Sequence, residues 1–171
     1  MGSLHERNIS VWIATTPETS YSPLSGQVMV DVVVIGAGIT GLSVATLLKR
    51  AGARVAVIEA GRVASGVTGY TTAKITSLHG LVYRNLVDEL GDERSSLYAG
   101  ANQAAIARVA AFVQEDGIDC DFRRAAAYTY TEDQARVPDI QAEVEVSQRL
   151  GLPASYTETT DLPYPVQAVD V

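Results

Sequence analysis

One glycine pattern constrains this chain more than any other feature. Gly36, Gly38 and Gly41 follow the apolar run of residues 32–35 and precede a helix-forming stretch. In such a strand–turn–helix unit the first glycine permits a tight turn, the second lets the backbone approach a diphosphate, and the third lets the helix pack on the sheet. The helix N-terminus then offers N–H groups and its positive dipole end to the anion. The pattern predicts a βαβ unit that binds a dinucleotide.

The flanking residues agree with this prediction. Residues 32–35 are all β-branched, which is typical of a parallel strand buried on both faces. A helix is predicted over residues 42–50, and Gly52 is expected to end it. A second apolar strand is predicted over residues 54–58. A glycine-rich βαβ unit that binds nothing remains the alternative.

An acidic side chain stands at the end of the second predicted strand. Glu59 follows Gly36 at about the 20-residue offset at which a carboxylate accepts hydrogen bonds from the ribose hydroxyls of a dinucleotide. Its negative charge would repel a 2′-phosphate. The sequence therefore favours FAD or NAD over NADP.

Composition narrows the classes of protein and partner. At 171 residues the chain can form a domain with a real core, and its net charge of −7 argues against a nucleic-acid surface or an anionic membrane as partner. Cys120 is the only cysteine, so no internal disulfide can form. No apolar run approaches the length of a membrane span, and residues 1–10 lack the apolar core of a signal peptide. A cytoplasmic location is expected.

The chain divides into an N-terminal arm, residues 1–27, and a domain over residues 28–171. Proline, serine and threonine make the arm irregular, although Trp12, Ile13 and Tyr21 could pack against the folded body. A long loop of small residues is predicted over residues 61–77, and loops of this length are usually functional or disordered. Periodicity and turn signals then predict helices over residues 78–90, 92–116 and 138–150, and a strand over residues 125–131 with Tyr128 and Tyr130 on one face.

Three segments carry a family resemblance. Residues 34–42, 58–62 and 64–69 resemble the FAD-dependent oxidoreductases of the D-amino-acid oxidase type. Residues 71–74, 78–80 and 117–122 are similar to a branch whose members often carry a Rieske iron–sulfur domain after the flavin domain. The resemblance implies an α/β fold, a Rossmann-like FAD/NAD(P)-binding domain with added helices and the start of a substrate domain. Such enzymes continue well beyond 171 residues, so the chain looks like an N-terminal piece.

The resemblance also implies which residues hold FAD. The glycine turn would contact the pyrophosphate, Glu59 the adenosine ribose, and parts of the following loop the rest of the cofactor. The implied cofactor-binding residues are Gly36, Ala37, Gly38, Ile39, Thr40, Gly41, Glu59, Ala60, Arg62, Ser65, Gly66, Thr72 and Ala73. For Arg62 a solvated loop position is an equal alternative.

Other reactive side chains favour structural interpretations. His79 could relay protons beside the flavin, but a histidine in the first turn of a helix more often packs or caps. Lys74 is expected in solvent, Cys120 is expected to be buried, and Arg123 and Arg124 are expected to cap the strand that follows. A Rieske centre needs two cysteines and two histidines, so this stretch cannot hold one itself. No metal site and no general base can be named.

The function that the resemblance implies is oxidation of an amine or amino-acid-like substrate by hydride transfer to flavin N5. The expected partner is a small-molecule substrate, without nucleic acid or membrane, and the oligomeric state stays open. Two alternatives remain, an NAD-dependent dehydrogenase and a truncated, inactive dinucleotide-binding fragment. The loop of residues 61–77 and the absence of a second mononucleotide-binding half argue against the dehydrogenase.

Overall fold

The computed structural model describes residues 9–160, 163 and 165–170, and for residues 167–170 it describes the backbone. The chain forms two compact units, of which unit 1 ends at Lys74 and unit 2 begins at Ile75. The predicted N-terminal arm lies in unit 1 and contains a short helix, α1 (Val11–Thr15), that the sequence pattern did not predict. Ser10 caps this helix, because its side-chain oxygen accepts a hydrogen bond from the Trp12 N–H.

Unit 1 is built on the predicted βαβ unit. Strands β1 (Val32–Ile35) and β2 (Val55–Ile58) are parallel and in register along their whole length, and α2 (Ile39–Arg50) connects them. The helix begins three residues earlier than predicted and ends before Gly52, as expected. Asp31 and Arg54 form an ion pair, with an Oδ1–Nη2 distance of 2.8 Å, where the two strands begin. A 3₁₀ helix, Val67–Tyr70, lies in the loop after β2.

The prediction that β1 is buried on both faces is wrong. Val32 and Val34 are half-buried, whereas 49% of Val33 and 87% of Ile35 are exposed. The reason is that α2 packs on the face that carries Val34. Among the described residues of unit 1, no element covers the opposite face, so the strand alternates although its sequence does not.

Unit 2 contains two long helical elements. The first, α3 (Tyr83–Glu115), is interrupted at Gly91, whose φ of 78° and ψ of 167° are not helical. This break confirms the predicted division between two helices at Gly91. The first of them starts at Tyr83 rather than at residue 78, so residues 78–82 were wrongly predicted as helix. The second element, α4 (Val137–Arg149), has its proline in the first turn, as predicted.

Unit 2 also contains a three-stranded antiparallel sheet, in which the strand order is β3-β5-β4. Strand β3 (Tyr128–Thr131) is shorter than the predicted strand, and its two tyrosines share an exposed face. Strands β4 (Ser155–Thr157) and β5 (Gln167–Asp170) were not predicted. They are three and four residues long, too short for an alternating pattern to stand out in the sequence.

The buried core lies largely in unit 2, in two apolar clusters centred on α3 and α4. Between the helices lies Glu143, which has no exposed surface. Its Oε1 accepts a hydrogen bond from the Tyr83 N–H at 2.6 Å, and its Oε2 accepts one from the Arg84 N–H at 3.1 Å. Glu143 thereby satisfies two of the N–H groups that have no partner within α3 itself. The core members are Leu78, Ile140, Val144, Ala154, Tyr83, Ala99, Leu150 and Leu152.

Candidate functional site

The glycine turn between β1 and α2 has the close backbone packing that its sequence predicts. Gly36 has a φ of +98°, a conformation that favours glycine, and its N–H donates to the Ile58 carbonyl at 2.7 Å. A Cβ atom added at Gly41 would lie 2.0 Å from the Gly36 carbonyl oxygen and 3.3 Å from Val34 Cγ1. Only glycine fits where α2 meets the turn, so the first turn of the helix lies directly on the end of β1.

The loop after β2 returns to this turn and is bonded to it. The Ile39 N–H, the first of α2, donates to Thr68 Oγ1 at 3.0 Å, and the Ala64 N–H donates to the Ala37 carbonyl at 3.0 Å. A Cβ atom added at Gly38 would lie 3.2 Å from Thr68 Oγ1. The Ile39 N–H is one of the groups that the sequence pattern offers to an anion, and in the structure a hydroxyl already accepts from it.

Thr68 was missed by sequence reasoning. It stands among several serines, threonines and glycines of the loop, and no spacing rule distinguishes it from them. Only the fold shows that this hydroxyl reaches the start of α2, because the 3₁₀ helix turns its side chain toward Ile39.

Glu59 joins the end of β2 to the glycine turn. Its Oε2 accepts a hydrogen bond from the Ala37 N–H at 2.8 Å, and its Oε1 accepts one from the Gly61 N–H at 2.8 Å. The bond from Ala37 and then the bond from Gly61 lower the pKa of this carboxyl, so it stays ionised to a lower pH than an ordinary glutamate. A carboxylate has about four lone-pair sites, so this exposed side chain keeps acceptor capacity for further donors.

Arg62 and Ser65 lie on the same loop. Arg62 forms an ion pair with Glu18 of the arm, and Ser65 Oγ donates to the Arg62 carbonyl at 2.8 Å. Ala60 and Thr40 are exposed beside the turn, and Gly66 precedes the 3₁₀ helix. The structure therefore places these predicted residues around the glycine turn or on the loop bonded to it.

Thr72 and Ala73 lie further along, near the end of unit 1, and both are exposed. Ala73 has a φ of +58°, and its N–H donates to Thr71 Oγ1 at 3.0 Å. The side chain of Thr71 thus supports a left-handed backbone conformation that is uncommon for a residue other than glycine. The contact to flavin that the family resemblance implies for Thr72 and Ala73 stays a prediction.

The N-terminal arm packs on the loop. Trp12 Nε1 donates to the Thr71 carbonyl at 2.8 Å, and Ile13 lies against Gly69. A cleft of about 240 Å³ is lined by residues of the arm, among them Trp12, and by residues of the loop. The predicted packing of Trp12 and Ile13 is confirmed, whereas the prediction for Tyr21 is wrong, since 78% of this residue is exposed.

The remaining candidates do not assemble into a second site. His79 is exposed in a loop and not in the first turn of a helix, which corrects that expectation. Cys120 is a free, exposed cysteine, so the expectation that it is buried is wrong. Arg123 and Arg124 are exposed and precede β3 by several residues, so the expectation that they cap the strand is not supported. Lys74 is exposed, as expected.

Within the part of the chain that the structure describes, no group of three or more histidine, cysteine, aspartate and glutamate side chains is arranged to hold a metal ion. No helix in the same residues has both the length and the apolar character needed to cross a bilayer.

Comparisons with known proteins give two matches. Residues 31–163 match the family described as FAD dependent oxidoreductase (DAO). The chain is also 37% identical over 155 residues to the "Putative Rieske 2Fe-2S iron-sulfur protein YhfW" of Bacillus subtilis (strain 168). This alignment covers 91% of the chain and 30% of YhfW, so the chain spans about a third of that relative's length.

Proposed function

The chain belongs to the family of FAD-dependent oxidoreductases, and on that premise we propose that unit 1 binds the ADP part of FAD. One observation carries the proposal, namely that Glu59 and Thr68 are both hydrogen-bonded to the backbone of the glycine turn. The carboxylate of Glu59, which is suited to bind a ribose, therefore lies next to the N-terminus of α2, which is suited to bind a pyrophosphate. We propose that this βαβ unit begins a Rossmann-like domain and that unit 2 begins a substrate domain.

The backbone of the glycine turn fits a diphosphate. Because Gly38 carries no Cβ atom and Gly41 lets α2 lie directly on the turn, an anion can approach the backbone at the first turn of α2, where the dipole of the helix is positive. Thr68 Oγ1 accepts from the Ile39 N–H and keeps its own proton, which it can donate to an anionic oxygen. The residues proposed to surround the pyrophosphate are Gly36, Ala37, Gly38, Ile39, Thr40, Gly41 and Thr68.

The ribose and the rest of the cofactor would lie on the side of the loop. Glu59 is ionised and exposed, so it can accept from the two ribose hydroxyls while it holds the turn. Its charge opposes a 2′-phosphate, which supports FAD over NADP. The loop residues proposed to line this part of the site are Ala60, Arg62, Ser65, Gly66, Thr72 and Ala73.

We propose an amine or amino-acid-like small molecule as the substrate of the longer protein. A bound flavin would supply hydride acceptance at N5 for the oxidation of such a substrate, and the part that we propose for this chain is to bind and orient the nucleotide. No described residue is assigned as a general acid or base. The name of YhfW states a 2Fe-2S cluster for that protein. These 171 residues contain a single cysteine, so we propose no such cluster for them.

An equilibrium titration tests the nucleotide site. FAD is added to the purified chain and followed by flavin fluorescence, with ADP as competitor and with NAD and NADP titrated in parallel. Glu59→Gln is expected to weaken FAD binding roughly 10- to 150-fold, since it removes hydrogen bonds to a charged acceptor. The matched control is Asp31→Asn, which removes the carboxylate that pairs with Arg54 at the other end of the strands. This control should bind FAD as the wild type does.

Each result separates the alternatives. Tighter binding of NAD than of FAD would favour the dehydrogenase. Absence of binding of all the nucleotides would favour a glycine-rich βαβ unit that binds nothing and would refute the proposal. FAD binding that is equal in Glu59→Gln and in the wild type would show that the nucleotide lies elsewhere.

A further inference from the structure

Three contacts hold the N-terminal arm on the loop that follows β2. Trp12 donates a hydrogen bond to the Thr71 carbonyl, Ile13 packs on Gly69, and Glu18 pairs with Arg62. A helix of five residues such as α1 is not stable alone, because nucleation costs more than so few hydrogen bonds return. The contacts with the loop must therefore keep α1 in place.

The side chain of Ile13 packs closely against the backbone of Gly69. Gly69 is buried, and a Cβ atom added there would lie 3.0 Å from Ile13 Cδ1, 3.1 Å from Ile13 Cγ1 and 2.5 Å from the Ala64 carbonyl oxygen. Ile13 is half-buried, whereas Val11 on the same helix is 58% exposed. Helix α1 thus packs the side chain of Ile13 against Gly69, a position at which the loop has no space for a side chain.

The residues beneath this contact are those that hold the glycine turn. Gly69 follows Thr68, whose hydroxyl accepts from the Ile39 N–H, and Ala64, whose carbonyl also faces Gly69, donates its N–H to Ala37. The arm, the loop and the glycine turn are therefore stacked in that order. We therefore expect a change in the packing of the arm on Gly69 to move Thr68 relative to the start of α2.

We propose that residues 10–19 of the arm form part of the cofactor site, in which Trp12 and Ile13 position the loop of residues 62–71 for FAD. The inference rests on the proposed function of unit 1. Trp12 and Ile13 are positioning residues, since they act through Thr71, Gly69 and Thr68. A loop that is already ordered loses less freedom when the ligand binds, and this gain in preorganisation appears as affinity.

The cleft between the arm and the loop supports this assignment. One of its walls carries Arg62, Ser65 and Thr68, and the other carries Trp12, Thr16 and Glu18. The first wall contains three residues proposed to bind FAD, so the arm faces the loop side of the proposed site. The ion pair between Arg62 and Glu18 is exposed, and such pairs contribute little. Trp12 and Ile13 are therefore the informative positions for mutation.

The test uses the full chain and the variants Trp12→Phe and Ile13→Ala. Trp12→Phe keeps an aromatic ring and removes the hydrogen bond to Thr71, and Ile13→Ala removes the packing on Gly69. Val11→Ala is the matched control, because it changes the same helix at a position that is largely exposed. Three quantities are measured for each protein, namely the amide exchange rate of Ile39, the Kd for FAD and the midpoint of thermal unfolding.

We expect faster exchange at Ile39 and a Kd for FAD raised roughly three- to tenfold in both variants, as loss of one hydrogen bond or an equivalent contact implies. The unfolding midpoint and the control should stay near the wild-type values. The emission of Trp12, the only tryptophan, should also shift to the red in Ile13→Ala as the arm loosens. Restored affinity in Ile13→Val would show that packing on Gly69 is responsible.

The outcomes distinguish this inference from the proposed function. If the wild type binds FAD and both variants bind it equally well, the role of the arm is refuted and the proposed function stands. If the wild type binds no FAD, the proposed function fails and the inference fails with it. Unchanged exchange at Ile39 in both variants would refute the stacking of arm, loop and turn, whatever the nucleotide binding.

Discussion

Replacing Gly41 with alanine tests how closely α2 packs on the glycine turn. The new Cβ atom would lie 2.0 Å from the Gly36 carbonyl oxygen, whereas real contacts of this kind essentially never fall below 3.0 Å. The helix and the turn must therefore separate by about 1 Å. Both partners are backbone, so no side-chain rotation relieves the overlap.

The magnitude follows from two opposing effects. Overpacking costs about 1–3 kcal/mol, and the backbone contact places this substitution at about 3 kcal/mol. Alanine is better than glycine within a helix by about 1 kcal/mol. The net loss in the free energy of unfolding of unit 1 is about 2 kcal/mol, which is roughly a 30-fold change in the ratio of folded to unfolded molecules. FAD binding should be lost, since the turn itself moves.

Urea unfolding followed by Trp12 emission measures this loss, because Trp12 is the only tryptophan and belongs to unit 1. Gly100→Ala is the matched control. Gly100 lies within α3, is exposed, and has no atom within 4 Å of an added Cβ. This control should stabilise unit 2 by about 0.5–1 kcal/mol, as measured by circular dichroism. A Gly41→Ala chain as stable as the wild type would refute the packing argument.

Three further predictions concern carboxylates and a tyrosine. Glu143→Gln should destabilise unit 2 by about 1–3 kcal/mol in urea unfolding. One of the N–H groups of Tyr83 and Arg84 would then face the NH2 group of glutamine instead of a carboxylate oxygen. An unchanged unfolding midpoint would contradict this prediction. The hydrogen bond from the Ala37 N–H is the main cause that lowers the pKa of Glu59. The stability that this carboxylate provides is therefore present above its ordinary pKa of 4.5 and is lost as the pH falls below that value. Glu59→Gln should flatten this dependence of the stability of unit 1 on acid pH. Burial raises the pKa of Tyr83 from 10.0 to about 12, so the stability of unit 2 should fall between these pH values, and Tyr83→Phe should remove that dependence in an alkaline titration.

The local signals in the sequence located the βαβ unit well. The glycine spacing and the apolar runs each reflect a short-range requirement, such as a tight turn or a parallel strand, and Glu59 was located by its fixed offset from the glycine turn. Gly91 likewise marked the break in α3, since a positive φ there cannot continue a helix. These features depend on neighbours in sequence or on a fixed motif spacing, so the sequence alone was sufficient to predict them.

The features that were missed depend on residues distant in the chain. Thr68 and Glu143 act on N–H groups that lie 29 and 60 residues away, and nothing in their local pattern indicates this. The short strand β5 is defined by its partners on both sides. The exposed face of Val33 and Ile35 depends on which elements cover the sheet, and a run of apolar residues does not determine that.

The most direct measurement is to follow the backbone amide resonances of the full chain while FAD is added. We expect saturable shifts at Ala37, Gly38, Ile39 and Gly61, reproduced in part by ADP, with the Tyr83 amide of unit 2 unchanged. Shifts at the glycine turn and beside Glu59 would show that the nucleotide binds at the proposed site. Saturable binding of FAD that left those amides unchanged would refute binding at the glycine turn.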